Sequence, residues 1–398
     1  MAEAEKIDIL IVGTGPSGTS TALHLIKSNP AWANRIVMVD KAIHPREKLC
    51  GGGITHLGQN ILARLGLEIE PNSFDVREVR LVYKDKGYSF FGNPVFRIVR
   101  RDEFDHWLVK TCTQLGVTVH QGEAVKTITP HDDFVEVVTE KRTFHAKVLV
   151  GADGSKSYVR RALKWQDNTQ VARLLEILTP ENAATTPEFR EKTAVFDFTP
   201  MTDNGLQGYY WDFPSVIQGQ PFMNRGLFDS RARPDLPKAN LKQTLRDSLQ
   251  TRNRNLDDYK LKGHPIRWWS TKAKFSQPRV ILVGDAAGAD PLFGEGISFA
   301  LGYGEVATKA INDAFTHQDF SFASYGDIVR NDPLFKHLDG RTRLAKFAYL
   351  MPKFPRFVRF GFTIAPWIIK LTRWRDPNYT PDEKPTARLI DVVQSMQT

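Results

Sequence analysis

The sequence predicts an α/β protein: a discontinuous domain of βαβ units, a second domain built on an antiparallel sheet, and a helical C-terminal segment. Three observations predict it. The apolar runs KIDILIV (6–12) and RIVMVDK (35–41) flank a glycine turn and a stretch of helical spacing. From about 170 to 275 the texture changes to long polar stretches broken by aromatic, strand-like runs. The strand–turn–helix pattern then returns at RVILVGDAAG, so the first domain is interrupted.

In chain order, KIDILIV ends in GTGPSG and passes into TSTALHLIKSN, whose small and apolar residues have helical spacing. RIVMVDK closes the first βαβ unit. Residues 75–92 alternate and turn at KDKG, which predicts a hairpin, and FRIVRRDEFDHWLVKTCTQLG switches to helical spacing. VTVHQGEAVKTI and FVEVVTE read as strands, and KVLVGADGSKSYVRRAL as a strand running into a basic helix. TAVFDFTP and GLQGYYWDFPSV supply aromatic strands. The expected boundaries are 1–74, 93–168 and 276–334 for the first domain, 75–92 and 169–275 for the second, and 335–398 for the basic, aromatic, helical segment.

No run of 18 apolar residues occurs, so a spanning helix is not expected. The opening MAEAEK carries acids where a secretion signal would carry basic residues. Two cysteines, Cys50 and Cys112, cannot make a disulfide framework and fit a reducing compartment, so the expected location is cytoplasmic. Neither has a Cys or His partner at ligand spacing, so no metal site is expected. The net charge is +9, and the segment 341–375 alone holds nine Lys or Arg and no Asp or Glu. Such a segment suits an anionic membrane surface or acidic phosphates; nucleic acid is set aside because no binding motif accompanies the charge.

GTGPSG places Gly13, Gly15 and Gly18, with Pro16 and Ser17 between them, directly after a strand and at the opening of a helix. Glycines there permit the tight turn, the close approach of a pyrophosphate and helix–strand packing, and the helix N-terminus offers bare N–H groups. Asp40 ends the second strand, where an acid binds ribose hydroxyls, and Lys41 follows it. Gly302 and Gly304 repeat part of the spacing inside a helical stretch, which predicts helix packing instead. Pro291, Phe293 and Gly294 break the chain before a helix starts near Gly296 and Ile297, aiming its N–H groups at whatever lies beside the turn.

Taken in order, GTGPSG, GADGSKSYVR and GDAAGADPLFGEGI resemble the flavoprotein oxidoreductases of the aromatic hydroxylase and geranylgeranyl reductase superfamily, as far as about residue 330. The resemblance implies a Rossmann-like FAD-binding domain and FAD rather than a resident NADP. It implies cofactor contacts from Asp153 and Gly154, from Gly284 and Asp285, from Arg101 at the head of RDEFD, and from Ala124 and Val125. NADPH, NADH or another donor would reduce the flavin.

Lys48, Cys50, Gly51 and Gly52 match the Lys-x-Cys-Gly-Gly of the geranylgeranyl reductases, which faces the flavin; Tyr209, Trp211, Phe213 and Pro214 match their Tyr-x-Trp-x-Phe-Pro strand. On that resemblance Cys50, Lys48 and Trp211 are the candidate catalytic residues. Tyr209, Trp211, Phe213, Pro214 and Phe293 are the candidate wall of an apolar substrate cleft. The implied reaction is reduction of C=C bonds in a prenyl-type lipid by hydride from reduced flavin. Only two residues, Ala289 and Asp290, separate GDAAG from PL, a spacing similar to the hydroxylases, so monooxygenation is the alternative. Flavin-dependent halogenases keep a lysine comparable to Lys48, but their Gly-Glu-Ser and first tryptophan are absent here. A membrane-associated flavin-binding protein without turnover is the reading outside enzymology.

Overall fold

A computed structural model describes residues 3–165, 170–350, 353–371 and 389–391. Residue 169, where the second domain is expected to start, falls outside them, as do 372–375 of the basic segment and most of the C-terminal tail.

The first sheet is ordered by its apolar runs. Its central strand, Glu5–Val12, pairs in parallel with Ile36–Asp40 on one side and Thr143–Gly151 on the other. Thr118–Gln121 extends the first side and Val280–Leu282 the second, also in parallel. All these strands end on one edge. The turns at Gly13, Asp153 and Gly284, remote in sequence, therefore share the crevice beyond the carboxyl ends of the strands, where the order reverses about the central strand. The strands Val125–Pro130 and Val135–Thr139 form a hairpin that joins Thr143–Gly151 antiparallel.

The helices Pro16–Ser28 and Ile297–His317 pack closely on one another. A Cβ added at Gly304 would stand 2.4 Å from Ser20 Oγ, and one at Gly302 2.1 Å from Leu334. The second glycine pair is thus a packing device, as the spacing inside a helix predicts.

The second sheet runs Lys262–Arg267, Val171–Pro180, Gln220–Asp229, Gly208–Ile217, Thr193–Asp197, Ser73–Tyr83, Lys86–Val99, Gly53–Thr55. It departs from the expected antiparallel sheet at one pair: Thr193–Asp197 lies parallel to Ser73–Tyr83. Between them the chain crosses the first domain, and a long crossover allows the return in the same direction. The hairpin turns at Lys84, as KDKG predicts, but its second strand continues to Val99. Pairing with Gly53–Thr55 on one side and Ser73–Val76 on the other holds Phe96–Val99 extended, and the helix begins only at Arg101.

Both faces of this sheet's middle strands are buried. Tyr209, Trp211 and Phe213 alternate onto one face with Phe96 and Phe228. Tyr210 lies on the other, beside helix Leu241–Gln250 and over the Asp212–Arg252 ion pair.

Candidate functional site: one cleft between two sheets

A cavity of about 1770 Å³ lies between the strand-end edge of the first sheet and the Tyr209–Trp211–Phe213 face of the second. Its polar end is built on the first glycine turn. Gly13 has φ +106°, and a Cβ there would stand 2.4 Å from Ala152 O; one at Gly18 would stand 2.1 Å from Gly13 O. These two glycines are spent on chain crossing and helix packing. Gly13 and Gly15 line the cavity, and at Gly15 only Arg46 Nη2, at 3.5 Å, would meet a Cβ. The helix starting at Pro16 has no side-chain cap, so its first N–H groups face the cavity bare. Asp40 holds the turn: its Oδ2 accepts from Thr14 N at 2.9 Å and Thr14 Oγ1 at 2.8 Å, and its Oδ1 accepts from Ala42 N at 2.9 Å.

Two arginines share one carboxylate beside this turn. Arg101 donates to both oxygens of fully buried Asp105 at 2.8 Å, and Arg46 reaches Asp105 Oδ2 at 3.2 Å. Burial opposes the charge on Arg101, but Asp105 outweighs it and holds the guanidinium protonated. The trio keeps a net positive charge that suits a pyrophosphate. Arg46 was not among the sequence candidates; the available signal was its place just after the strand that ends at Asp40.

The other turns complete the polar end. Asp153 Oδ2 accepts from Tyr158 N at 2.5 Å and Val159 N at 3.0 Å, which makes it a helix-capping residue. Its Oδ1 is buried without a hydrogen-bond partner, and burial raises its carboxyl above the ordinary value. Asp285 accepts from Ser155 Oγ at 3.0 Å and lines the cavity, as do Lys41, Ala124, Val125, Gly154, Gly294, Gly296 and Ile297. Gly18, Gly284 and Pro291 do not: Gly284 (φ +61°) packs on Ser17, and the Pro291 carbonyl receives the Ser230 hydroxyl. The open approach at Gly15, the bare helix start, the shared Asp105 and the orphaned Asp153 oxygen together fit a dinucleotide such as FAD.

The Lys48–Gly52 stretch forms the middle of the cleft. A Cβ at Gly51 would meet Phe213 at 3.0 Å, and one at Gly52 (φ +80°) would meet Val99 O at 2.1 Å. These glycines let the loop lie against the aromatic strand and the sheet edge. Cys50 Sγ accepts from Gly52 N at 3.4 Å, and Cys50 O from Asn224 Nδ2 at 3.1 Å; Trp211 Nε1 donates to Asn224 Oδ1 at 2.9 Å. Asn224 thereby ties the cysteine loop to the indole. Behind them, burial pushes the Glu176 carboxyl up to about 8. Lys48 Nζ hydrogen-bonds His264 Nε2. Burial brings Lys48 down to about 8, and burial with the Lys48 charge brings His264 down to about 4. Asn224, Glu176 and His264 carried no motif and were missed.

The far end is apolar. Tyr209, Trp211, Phe213, Phe196 and Phe293 line it, and the Tyr209 hydroxyl donates to Phe293 O at 2.5 Å. Pro214 does not line it, because strand alternation puts it on the opposite face from Phe213. Helix Pro333–Ala348 covers this end: His337, Gly340, Arg341 and Leu344 line the cavity. Arg341 pairs with buried Asp290 at 2.7 Å and with Glu295 at 2.9 Å. The basic segment thus begins as part of the cleft, which its composition did not reveal. Among the described residues no cluster of His, Cys, Asp and Glu suited to a metal ion occurs.

Comparison with known proteins agrees with this geometry. Residues 6–301 match the model of a family described as an FAD binding domain. Menaquinone reductase from Mycolicibacterium smegmatis is 26% identical over 334 residues, 76% of this chain and 76% of its own. Digeranylgeranylglycerophospholipid reductase 2 from Methanosphaera stadtmanae is 26% identical over 327 residues, 77% of this chain and 79% of its own. Two solved structures share the fold. A geranylgeranyl bacteriochlorophyll reductase-like protein from Thermoplasma acidophilum aligns with a TM-score of 0.74 at 17% identity, covering 99% of this chain and 96% of its own. A probable FAD-dependent monooxygenase from Pseudomonas aeruginosa aligns at 0.67 and 16% identity, covering 88% of this chain and 98% of its own.

Proposed function

The chain belongs to this FAD-binding family and is an FAD-dependent oxidoreductase, and we propose that it reduces carbon–carbon double bonds in a prenyl-type lipid. One observation carries the reading. A single cavity joins the glycine-lined polar end to a long aromatic end, with Cys50 and Trp211 at the junction. A linear apolar substrate lying among Tyr209, Phe213 and Phe293 would reach that junction without leaving apolar surroundings. The sequence relatives that act on menaquinone and on a digeranylgeranyl lipid support the choice of substrate class.

Once bound and reduced, FAD supplies the hydride such a reduction needs. The protein's own residues do the rest. Gly15, the bare N–H groups after it, Arg46 and Arg101 hold the pyrophosphate. The helix start at Gly296–Ile297 offers further N–H groups, with no side-chain cap to occupy them. The aromatic wall excludes water. Lys48 keeps a proton at Nζ near neutral pH, the hydrogen bond it donates to His264 Nε2 fixes its direction, and Asn224 sets the spacing between Cys50 and Trp211.

Monooxygenation of an apolar or aromatic substrate is the second reading. The two-residue spacing Ala289–Asp290 favours it, and the same wall would serve it. Halogenation has Lys48 in its favour, and the absent Gly-Glu-Ser and first tryptophan against it.

The test is anaerobic reduction of the bound flavin by NADPH or NADH, followed by a prenyl lipid or by oxygen with an aromatic acceptor. Reoxidation by the prenyl lipid with loss of its double bonds is expected. Oxygen uptake tightly coupled to an aromatic acceptor, with no reoxidation by the lipid, would overturn the assignment. Failure of every donor would leave a flavin-binding protein without turnover. Among the described residues no helix is long and apolar enough to cross a membrane.

A further inference from the structure

The apolar end of the cavity reaches the surface at two side chains. Phe91, on strand Lys86–Val99, and Leu344, on helix Pro333–Ala348, both line the cavity, yet they are 56% and 52% exposed. They mark its mouth. Around that mouth the surface is unusual. Nine large hydrophobic side chains stand exposed among the described residues, and six of them fall between 344 and 367: Leu344, Phe347, Phe354, Phe357, Phe360 and Trp367. Scattered single residues of this kind need no explanation, but a concentration on two consecutive helices and the residue that precedes the second does.

Helix Pro355–Leu371 is held to the second sheet by its other side. Phe362 stacks on Tyr83 at 5.4 Å between centroids, Val358 is buried, and Arg359 pairs with Asp85 at 2.7 Å. Phe357 and Phe360 therefore point away from a face that is already satisfied. Exposed Lys346, Lys353 and Arg356 stand among the aromatics, and 341–375 contains no acid.

We propose that this face seats the protein on an anionic bilayer, with the mouth between Phe91 and Leu344 opening into the acyl layer as the entry for a lipid substrate. The lipid nature of the substrate rests on the function proposed above; the docking does not. Interleaved aromatics and cations meet what such a surface presents, an apolar layer beneath a negative headgroup plane. The same surface is ill suited to a second copy of the chain, since a two-fold contact would set this predominantly basic face against itself. A mouth set among the docking residues also lets a prenyl chain pass from bilayer to cavity without exposure to water.

The test uses the full-length flavin-loaded protein and flotation with phosphatidylcholine vesicles, with and without phosphatidylglycerol. Binding is expected on the anionic vesicles only, falling as salt rises. Phe357→Asp with Phe360→Asp is expected to weaken it about tenfold or more. Lys346→Glu with Arg356→Glu should do the same with the aromatics intact, and flavin content reports that each variant is folded. For the mouth, Phe91→Trp should add emission that brominated acyl chains quench beyond the wild-type level. Equal binding to neutral and anionic vesicles, or binding indifferent to both variant pairs, overturns the proposal. So does self-association abolished by the same variants without vesicle binding, or the absence of added quenching at position 91. A chain that reduces a detergent-dispersed prenyl lipid but ignores vesicles overturns the docking and leaves the reaction standing. One that docks and is quenched but reduces no prenyl lipid upholds the docking and overturns the reaction.

Discussion

Lys48 and His264, 216 residues apart in the chain, meet in a hydrogen bond on the wall of the cleft. Lys48 comes from the loop after the second parallel strand, and His264 from the outermost strand of the other sheet. The pair therefore clasps the two sheets together at the cavity.

The charge on Lys48 has a measurable cost. Burial brings its folded value down to about 8 from 10.5, so the unfolded chain binds the proton more tightly. The penalty is fully present below pH 8 and disappears as pH rises towards 10.5, so stability attributable to this group increases with pH across that window. Lys48→Met is expected to stabilise the flavin-free protein by about 1–3 kcal/mol at pH 7. The advantage should vanish near pH 10.5. Chemical denaturation at several pH values checks this, and turnover by the variant should fall.

Arg46 and Arg101 depend on one carboxylate. Asp105→Asn leaves two guanidiniums without their counter-charge and is expected to cost about 3–5 kcal/mol. Added FAD should recover part of that loss, because its phosphates restore negative charge beside the arginines. Arg46→Gln should leave the fold intact and weaken flavin binding about tenfold to a hundredfold. Fluorescence of flavin released on dilution measures it.

Gly304→Ala and Gly154→Ala separate packing from backbone strain. A Cβ at Gly304 would stand 2.5 Å from the backbone carbon of Ser20, between two buried helices. A Cβ at Gly154 would meet nothing within 4 Å, but the residue has φ +76°. Gly304→Ala is expected to lower stability by about 1–3 kcal/mol through overpacking. Gly154→Ala should cost about 1 kcal/mol through strain. Thermal unfolding of the two variants tests the ranking.

Cys50 and Asn224 test whether the middle of the cleft acts through chemistry or through spacing. Cys50→Ala removes only the thiol, since the carbonyl that Asn224 binds belongs to the backbone. Flavin retention is expected to be unchanged while turnover falls. Asn224→Leu leaves the Trp211 indole and the Cys50 carbonyl unpaired and should cost about 1–3 kcal/mol. If spacing is the main role, Asn224→Leu will depress turnover and Cys50→Ala will not; if the thiol matters, Cys50→Ala will depress turnover at far smaller structural cost.

The parallel sheet, its three turns and the aromatic strand were legible because each is written locally. An apolar run, a glycine turn and a small-residue helix lie within about thirty residues, and alternation places Tyr209, Trp211 and Phe213 on one face. Asp40 was found in the same way, from its place at a strand end, and Arg101 from the resemblance that RDEFD carries. What those residues do was less legible. Asp40 braces the turn through Thr14, Asp153 caps a helix as well as lining the cleft, and Gly18 and Gly284 serve packing.

The sequence by itself determined the succession of strands and turns along the chain and the family, and it pointed to Gly15, Asp40 and Arg101, which line the cavity. Those follow from backbone geometry that only a few residue types allow. Tertiary structure alone decided that Arg46 joins Arg101 on Asp105, that His264 meets Lys48, that Asn224 bridges Cys50 and Trp211, and that helix Pro333–Ala348 covers the cleft. Apart from the Asn224–Trp211 bond between neighbouring strands, these are contacts between distant stretches of chain. No local pattern encodes such contacts, because they exist only once two sheets have buried their apolar faces against each other.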